Sequence, residues 1–313
     1  MSALIWLGRH ASALLVLGFV VVPFLPFGAD QLRPALPWLV VLVTALGTAR
    51  QPTDRATLAR VFAPRATLAM AGWLALSQVG LALLVVMLGH ALHAPPELLV
   101  LIVAFCAASP LSSAPNLALM LGYDFTLALR LTLLGTLLAP VLMPLALAVS
   151  GLSFDAPVGQ VAVKVLGMLA GGIVLGLGIQ RLCGQDRIAR NPEILNGLAA
   201  LAMISFLFPL LAGSRAAVAA DPVLGAELLA LALLLNFGGH LLVRALARPL
   251  LPPPAARALG LVFGNRNVSI VLASLPFDPT LTLFVAALQC PVYATPVVFG
   301  LAARLRNRTA PSS

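Results

Sequence analysis

Arg257-Ala258-Leu259-Gly260-Leu261-Val262-Phe263-Gly264-Asn265-Arg266-Asn267-Val268-Ser269 puts a guanidinium and two amides inside a hydrophobic run extending from about residue 255 to 276. A run of that length and apolarity predicts a membrane span. A guanidinium at membrane depth costs several kcal/mol. A chain keeps such a charge where it faces a watery cavity, a partner or an anion. The cluster around Arg266 therefore marks a place where something other than lipid is bound.

The rest of the sequence agrees with a bilayer setting. Of its 313 residues, 61% are hydrophobic and 9% charged, against about 25% charged in a soluble domain. Leu and Ala dominate, and strand alternation is absent, so spanning helices are expected rather than a barrel. Ten segments are predicted, near 11–28, 34–48, 66–92, 96–122, 125–150, 158–180, 194–214, 222–246, 255–276 and 279–303. The first lacks a small-residue cleavage site and reads as a retained span. The chain reads as one transmembrane domain over residues 1–313, with a disordered tail at 309–313.

The net charge of +9 is a topology signal. Arg9, Arg50, Arg55, Arg60, Arg65, Arg130, Arg181, Arg187, Arg190, Arg244, Arg248, Arg257, Arg304, Arg306 and Arg308 fall on one side of this span pattern, 15 of 19 basic residues. Opposite loops hold Arg33, Arg215 and six of the ten acids: Asp30, Glu97, Asp155, Asp221, Glu227 and Asp278. The positive-inside rule then expects both termini in the cytoplasm of a multi-pass cell-membrane protein. Arginines scattered over short loops argue against nucleic-acid binding.

Two halves, 1–154 and 155–313, carry five segments each. Five is odd, so the second half enters with opposite orientation, the inverted-repeat arrangement of many secondary transporters. Such a repeat demands interrupted spans at matching places. Segment four contains Ser109-Pro110-Leu111-Ser112-Ser113-Ala114-Pro115-Asn116, and segment nine contains Gly264-Asn265-Arg266-Asn267. Both are the fourth of their half. Proline removes a backbone donor, and Gly and Asn tolerate non-helical torsions. Freed amides and carbonyls at such breaks are able to face a ligand, the plainer alternative being two ordinary kinked helices.

Other features are read more plainly. Gly167, Gly171, Gly172, Gly176 and Gly178 in segment six suit close helix approach. Lys164 either snorkels to the outer interface or pairs inside the bundle. Cys106, Cys183 and Cys290 match no metal-site spacing and are expected to be reduced thiols. His240 reads as a packed residue or a proton relay. No Walker loop, HExxH or convincing catalytic cluster is present, so an enzyme is not expected.

At the interrupted segments the sequence resembles the bile acid:sodium symporter family. The resemblance rests on Ser109-Pro110 with Ala114-Pro115-Asn116, on Thr132-Leu133-Leu134-Gly135-Thr136-Leu137-Leu138-Ala139-Pro140, and on Arg257 to Asn267 against that family's Glu-x-Gly-x-Gln-Asn pattern. It implies an all-α fold of ten helices in core and panel domains, broken helices 4 and 9 crossing, and organic-anion transport by alternating access coupled to sodium. By position, Asn116, Thr132 and Thr136 match one sodium site and Gln78 part of the other. Thr132 and Thr136 share a helix face, serving a site or back-bonding to their own helix.

The departures bear on mechanism. The family's glutamate is Val262, its Gln is Arg266, and the Ser before Asn is Pro115. At an effective dielectric of ~20, two unit charges 4 Å apart repel by about 4 kcal/mol, so a permanent cation disfavours sodium. One carboxylate plus two sodium ions carry the same single positive charge as Arg266 alone. The expectation is thus a small or amphipathic organic anion as partner and no cofactor. Sodium coupling is weakened or lost, with Arg266 either gripping the anion or capping carbonyls at the break. The candidate binding set is Gln78, Ser112, Ser113, Asn116, Thr132, Thr136, Gly264, Asn265, Arg266 and Asn267. A sodium symporter with a rebuilt ion site and a non-transporting scaffold or sensor are the alternatives.

Overall fold

A computed structural model describes residues 2–25, 32–51, 57, 59, 62–154, 156–211 and 213–309. Asp30, Arg55, Arg60, Asp155 and the tail 310–313 lie outside the described residues. Every named element is helical: α1 (Ser2–Arg9), α2 (Ala11–Val21), α3 (Leu36–Arg50), α4 (Pro64–Ala91), α5 (Pro96–Ala107), α6 (Ala114–Met120), α7 (Phe125–Val149), α8 (Val158–Cys183), α9 (Gln185–Arg190), α10 (Pro192–Leu211), α11 (Ser214–Ala220), α12 (Pro222–Ala247), α13 (Pro253–Gly264), α14 (Val268–Ser274) and α15 (Pro279–Thr309). Short 3-10 turns, Val22–Phe24 and Arg33–Ala35, follow α2 and precede α3.

Local sequence explains the boundaries. Prolines open α4, α5, α10, α12, α13 and α15, where a missing N–H costs nothing. Asp124, Asp221 and Asp278 accept from Leu127 N, Leu224 N and Leu281 N at 2.8–2.9 Å, capping α7, α12 and α15.

Among the described residues, six helices are long and apolar enough to cross a membrane: Pro64–Ala91, Phe125–Val149, Val158–Cys183, Pro192–Ala220, Pro222–Ala247 and Pro279–Leu301. This is the architecture of a multi-pass membrane protein. The other four expected spans differ in kind. α2 and α3 have 11 and 15 residues, and segments four and nine are each split into helices of 12 and 7 residues.

Packing divides the molecule into an exposed apolar surface and a buried interior. Leu137, Val141 and Leu145 line one exposed stripe of α7, four residues apart. A stripe of this kind suits a hydrocarbon solvent. One buried cluster joins α5 and α14 to α7, α8, α10 and α15 through residues such as Phe105, Ile270, Met143, Val165, Leu207 and Phe284. A second joins α6 and α13 to α4, α7 and α12 through Ala118, Leu261, Leu74, Leu131 and Val243. The two halves of each interrupted segment thus belong to different clusters, and the breaks lie between them.

Gly172 and Gly176 hold α8 against α3. A Cβ at either would come within 2.6 Å of Thr44 or Thr48 side-chain carbon, and at Gly176 within 2.6 Å of the Ala45 carbonyl. Gly167 and Gly178 face open space and contribute no such contact.

Candidate functional site

The two breaks are bonded to each other. Leu111 N–H donates to the Asn265 carbonyl at 3.0 Å, and Asn267 N–H donates to the Ser109 carbonyl at 2.8 Å. Pro110 and Arg266 form the antiparallel bridge between them. α5 ends because Ala108 turns extended (φ −64°, ψ 142°) ahead of Pro110, and α13 ends at Asn265 (φ −99°, ψ 86°). Backbone groups with no water to serve them must find protein partners. Each break supplies what the other lacks. Gly135 of α7 makes room, since a Cβ there would lie 2.5 Å from the Pro110 ring.

Arg266 is buried, 5% exposed, at this junction. Its Nε donates to the Phe263 carbonyl at 3.1 Å, Nη1 to Ala108 at 3.0 Å and Nη2 to Ser77 at 3.2 Å. The guanidinium also lies over the Phe263 ring, 4.9 Å from its centroid. Ala108 closes α5, and Phe263 lies in the last turn of α13. Each helix C-terminus carries about −0.5 of a charge, so two together roughly balance one guanidinium. That arrangement, with charge-assisted bonds of about 1.5–3 kcal/mol each, offsets the desolvation of the cation.

The neighbours sort into structural and unpartnered groups. Asn265 is fully buried; its Nδ2 donates to Leu261 O, and its Oδ1 accepts from Thr295 Oγ1 at 3.2 Å. Asn236 Nδ2 donates to the Gly264 carbonyl at 2.8 Å, closing α13 from the side. A side chain at Gly264 would run into the Asn236 carbonyl, so this glycine serves close packing. Asn236 sits in a π-helical turn, Leu234–Gly238, and Gln78 in another, Leu76–Gly80. Gln78 is fully buried and among the described residues neither of its side-chain polar atoms has a partner, nor does the buried Thr132 Oγ1. Thr136 Oγ1 back-bonds to Thr132 O at 2.8 Å.

Two adjoining cavities open beside the crossover. One, of about 550 Å³, is lined by Thr44, Thr48, Ser112, Thr132, Thr136 and Gln180 among others. A narrower one of about 90 Å³ is lined by Ser112, Ser113, Asn116, Asn267, Gln289 and Arg50 among others. Ser112 and Gly47 border both. The crossover thus brings Ser112, Ser113, Asn116, Asn267, Thr132 and Thr136 to the cavities. Gln78, Gly264, Asn265 and Arg266 sit behind them in the packing and line neither.

Sequence reasoning missed several of these groups. Arg50 counted only as a loop charge, and Thr44-x3-Thr48-x2-Gln51, one polar helix face, went unused although its spacing is legible. Gln180 Nε2 donates to the carbonyls of Thr48, Ala49 and Gln51, holding the end of α3. Lys164 Nζ lies 3.5 Å from the Ser274 carbonyl at the end of α14, where Arg33 Nη2 also bonds Leu275 O. His240 is buried, stacks on Phe299 at 4.1 Å between ring centroids, and among the described residues neither ring nitrogen has a partner.

The residues present do not fit a sodium ion at the crossover. Val262 offers no side-chain oxygen, and the carbonyls of Ala108, Phe263 and Ser77 already hold a guanidinium. Among the described residues, no three His, Cys, Asp or Glu side chains cluster as metal ligands. No protein-family model matches the chain, and a search of curated proteins returns no match.

Proposed function

We propose that this chain is a secondary-active or facilitative membrane transporter for a small or amphipathic organic anion. It works by alternating access, with Arg266 as a built-in cation in place of coupled sodium. The observation that carries the reading is the crossover: two interrupted helices bonded at their breaks around a buried guanidinium, beside a cavity lined by Asn116 and Asn267. Structureless backbone at membrane depth is tolerated where it is enclosed in protein or borders a cavity. Interrupted segments in both halves point to a midplane binding site.

Ten spans in two inverted repeats of a single domain account for further regularities. Both interrupted segments divide into 12 and 7 residues, a π-helical turn precedes each of them, and paired prolines, Pro140/Pro144 and Pro291/Pro296, follow. The order is the same in each half, which is what the resemblance to bile acid:sodium symporters implies.

The Arg266 role differs from gripping the substrate. Three of its donors are on carbonyls, so its charge holds together helix ends that a bound ion would otherwise serve. Anion selectivity then falls to the cavity, whose lining among the described residues includes Arg50 and no acid. A second reading, a sodium symporter with a rebuilt site, is favoured by the buried oxygens of Gln78 and Thr132 that lack partners.

The test is uptake by proteoliposomes of a labelled panel of carboxylates and sulfonates. Saturable uptake accelerated by unlabelled anion on the opposite side supports the reading. Absence of saturable uptake across the panel overturns it.

A further inference from the structure

We propose that Arg50 is the residue that reads the anionic group of the cargo, and that the cargo is a monoanion with a compact apolar body. This rests on the transport reading above. Arg50 is the last residue of α3, across the narrow cavity from the crossover. Its Nη2 donates to the Leu195 carbonyl of α10, which anchors the guanidinium without neutralising it. Its Nε is buried and unpartnered among the described residues. A buried donor without an acceptor is unstable until something supplies one, and a carboxylate or sulfonate supplies two acceptor oxygens to the guanidinium fork.

The cavity is built to complete that grip. Asn116, Asn267, Ser112 and Ser113 bring amides and hydroxyls from the crossover, while Val43 and Phe206 give an apolar wall. A single guanidinium among neutral groups pairs one charge and would leave the second charge of a dianion bare in a site of low polarity. Arg266 cannot take this role from behind the lining, with donors committed to Phe263, Ala108 and Ser77. Arg181 borders the wider adjoining cavity.

The experiment compares each transported carboxylate or sulfonate with its own uncharged amide as inhibitors of uptake in proteoliposomes. It uses wild type, Arg50→Gln and Arg50→Lys. With the two oxygens of the anion held by charge-assisted bonds, Arg50→Gln is expected to raise the anion KM about 100-fold and to erase its advantage over the amide. Arg50→Lys, keeping the charge and losing the fork, is expected to lose about 10-fold. A purely structural role through Leu195 would lower uptake while leaving the anion-to-amide ratio alone. If Arg50→Gln does not fold, the ratio in Arg50→Lys decides. An unchanged ratio in a folded variant overturns the assignment of Arg50 and spares the transport reading. Wild type that carries no panel member fails the transport reading and the assignment together.

Discussion

Removing the Arg266 side chain tests the crossover most severely. Arg266→Ala strips partners from three buried carbonyls, two of them at helix C-termini whose partial charges then face each other uncompensated. Breaking a buried charged arrangement by deleting one member costs about 3–5 kcal/mol. At roughly 2 °C per kcal/mol for a chain of this size, the expected loss is about 6–10 °C in the unfolding midpoint. The carbonyl nest left behind should take a soluble cation. Methylguanidinium at 100 times its Kd would return about 2.7 kcal/mol by mass action, so the variant regains more than half of its lost stability while wild type does not respond. The assay is thermal unfolding in detergent with methylguanidinium, sodium and choline at equal ionic strength. A variant as stable as wild type, or one that responds identically to choline, refutes the idea that the guanidinium holds the two helix ends.

Three further outcomes follow from the packing. Asn236→Ala removes the bond to the Gly264 carbonyl and disturbs Asn265, and should cost about 1–3 kcal/mol in the same unfolding assay; a change near zero would mean water replaces the amide. Gly176→Ala should separate α3 from α8 at a cost of about 1–3 kcal/mol, while Gly178→Ala, facing open space, should be neutral or slightly stabilising. Cysteines at Ser112 and Thr136, in a background lacking Cys183, should react with an impermeant maleimide supplied from either side of the membrane, with transported anion protecting both. Labelling from one side only, in liposomes that take up the anion, would contradict a cavity that alternates.

How far the sequence carried this picture depends on where the punctuation lies. The breaks were legible because Pro110, Pro115, Gly264 and the flanking asparagines stand in otherwise apolar runs, and proline and glycine signals are local. Helix starts were legible for the same reason, through prolines at first positions. What Arg266 bonds was not legible. Ser77 and Ala108 lie 189 and 158 residues away along the chain, and only folding brings them near. The π-helical turns around Gln78 and Asn236 carry no breaker residue that would announce them. The place of Arg50 in a cavity was not legible, because a cation at a helix end looks the same in sequence whether or not a cavity borders it. α3 runs to Arg50, which lines the same cavity as Asn116 and Asn267. Among the ten candidate residues, the split between cavity lining and buried scaffold also required the fold, because Asn265, Arg266 and Asn267 are consecutive yet only Asn267 reaches the cavity.

The central claim is that a tethered guanidinium stands where a coupled ion would bind. The most direct measurement is the initial rate of anion uptake by wild-type proteoliposomes, with sodium inside and outside equal, with an inward sodium gradient, and with sodium replaced by choline. The account predicts the same rate and the same KM in all three. A rate that rises steeply with the inward gradient and vanishes in choline would contradict it.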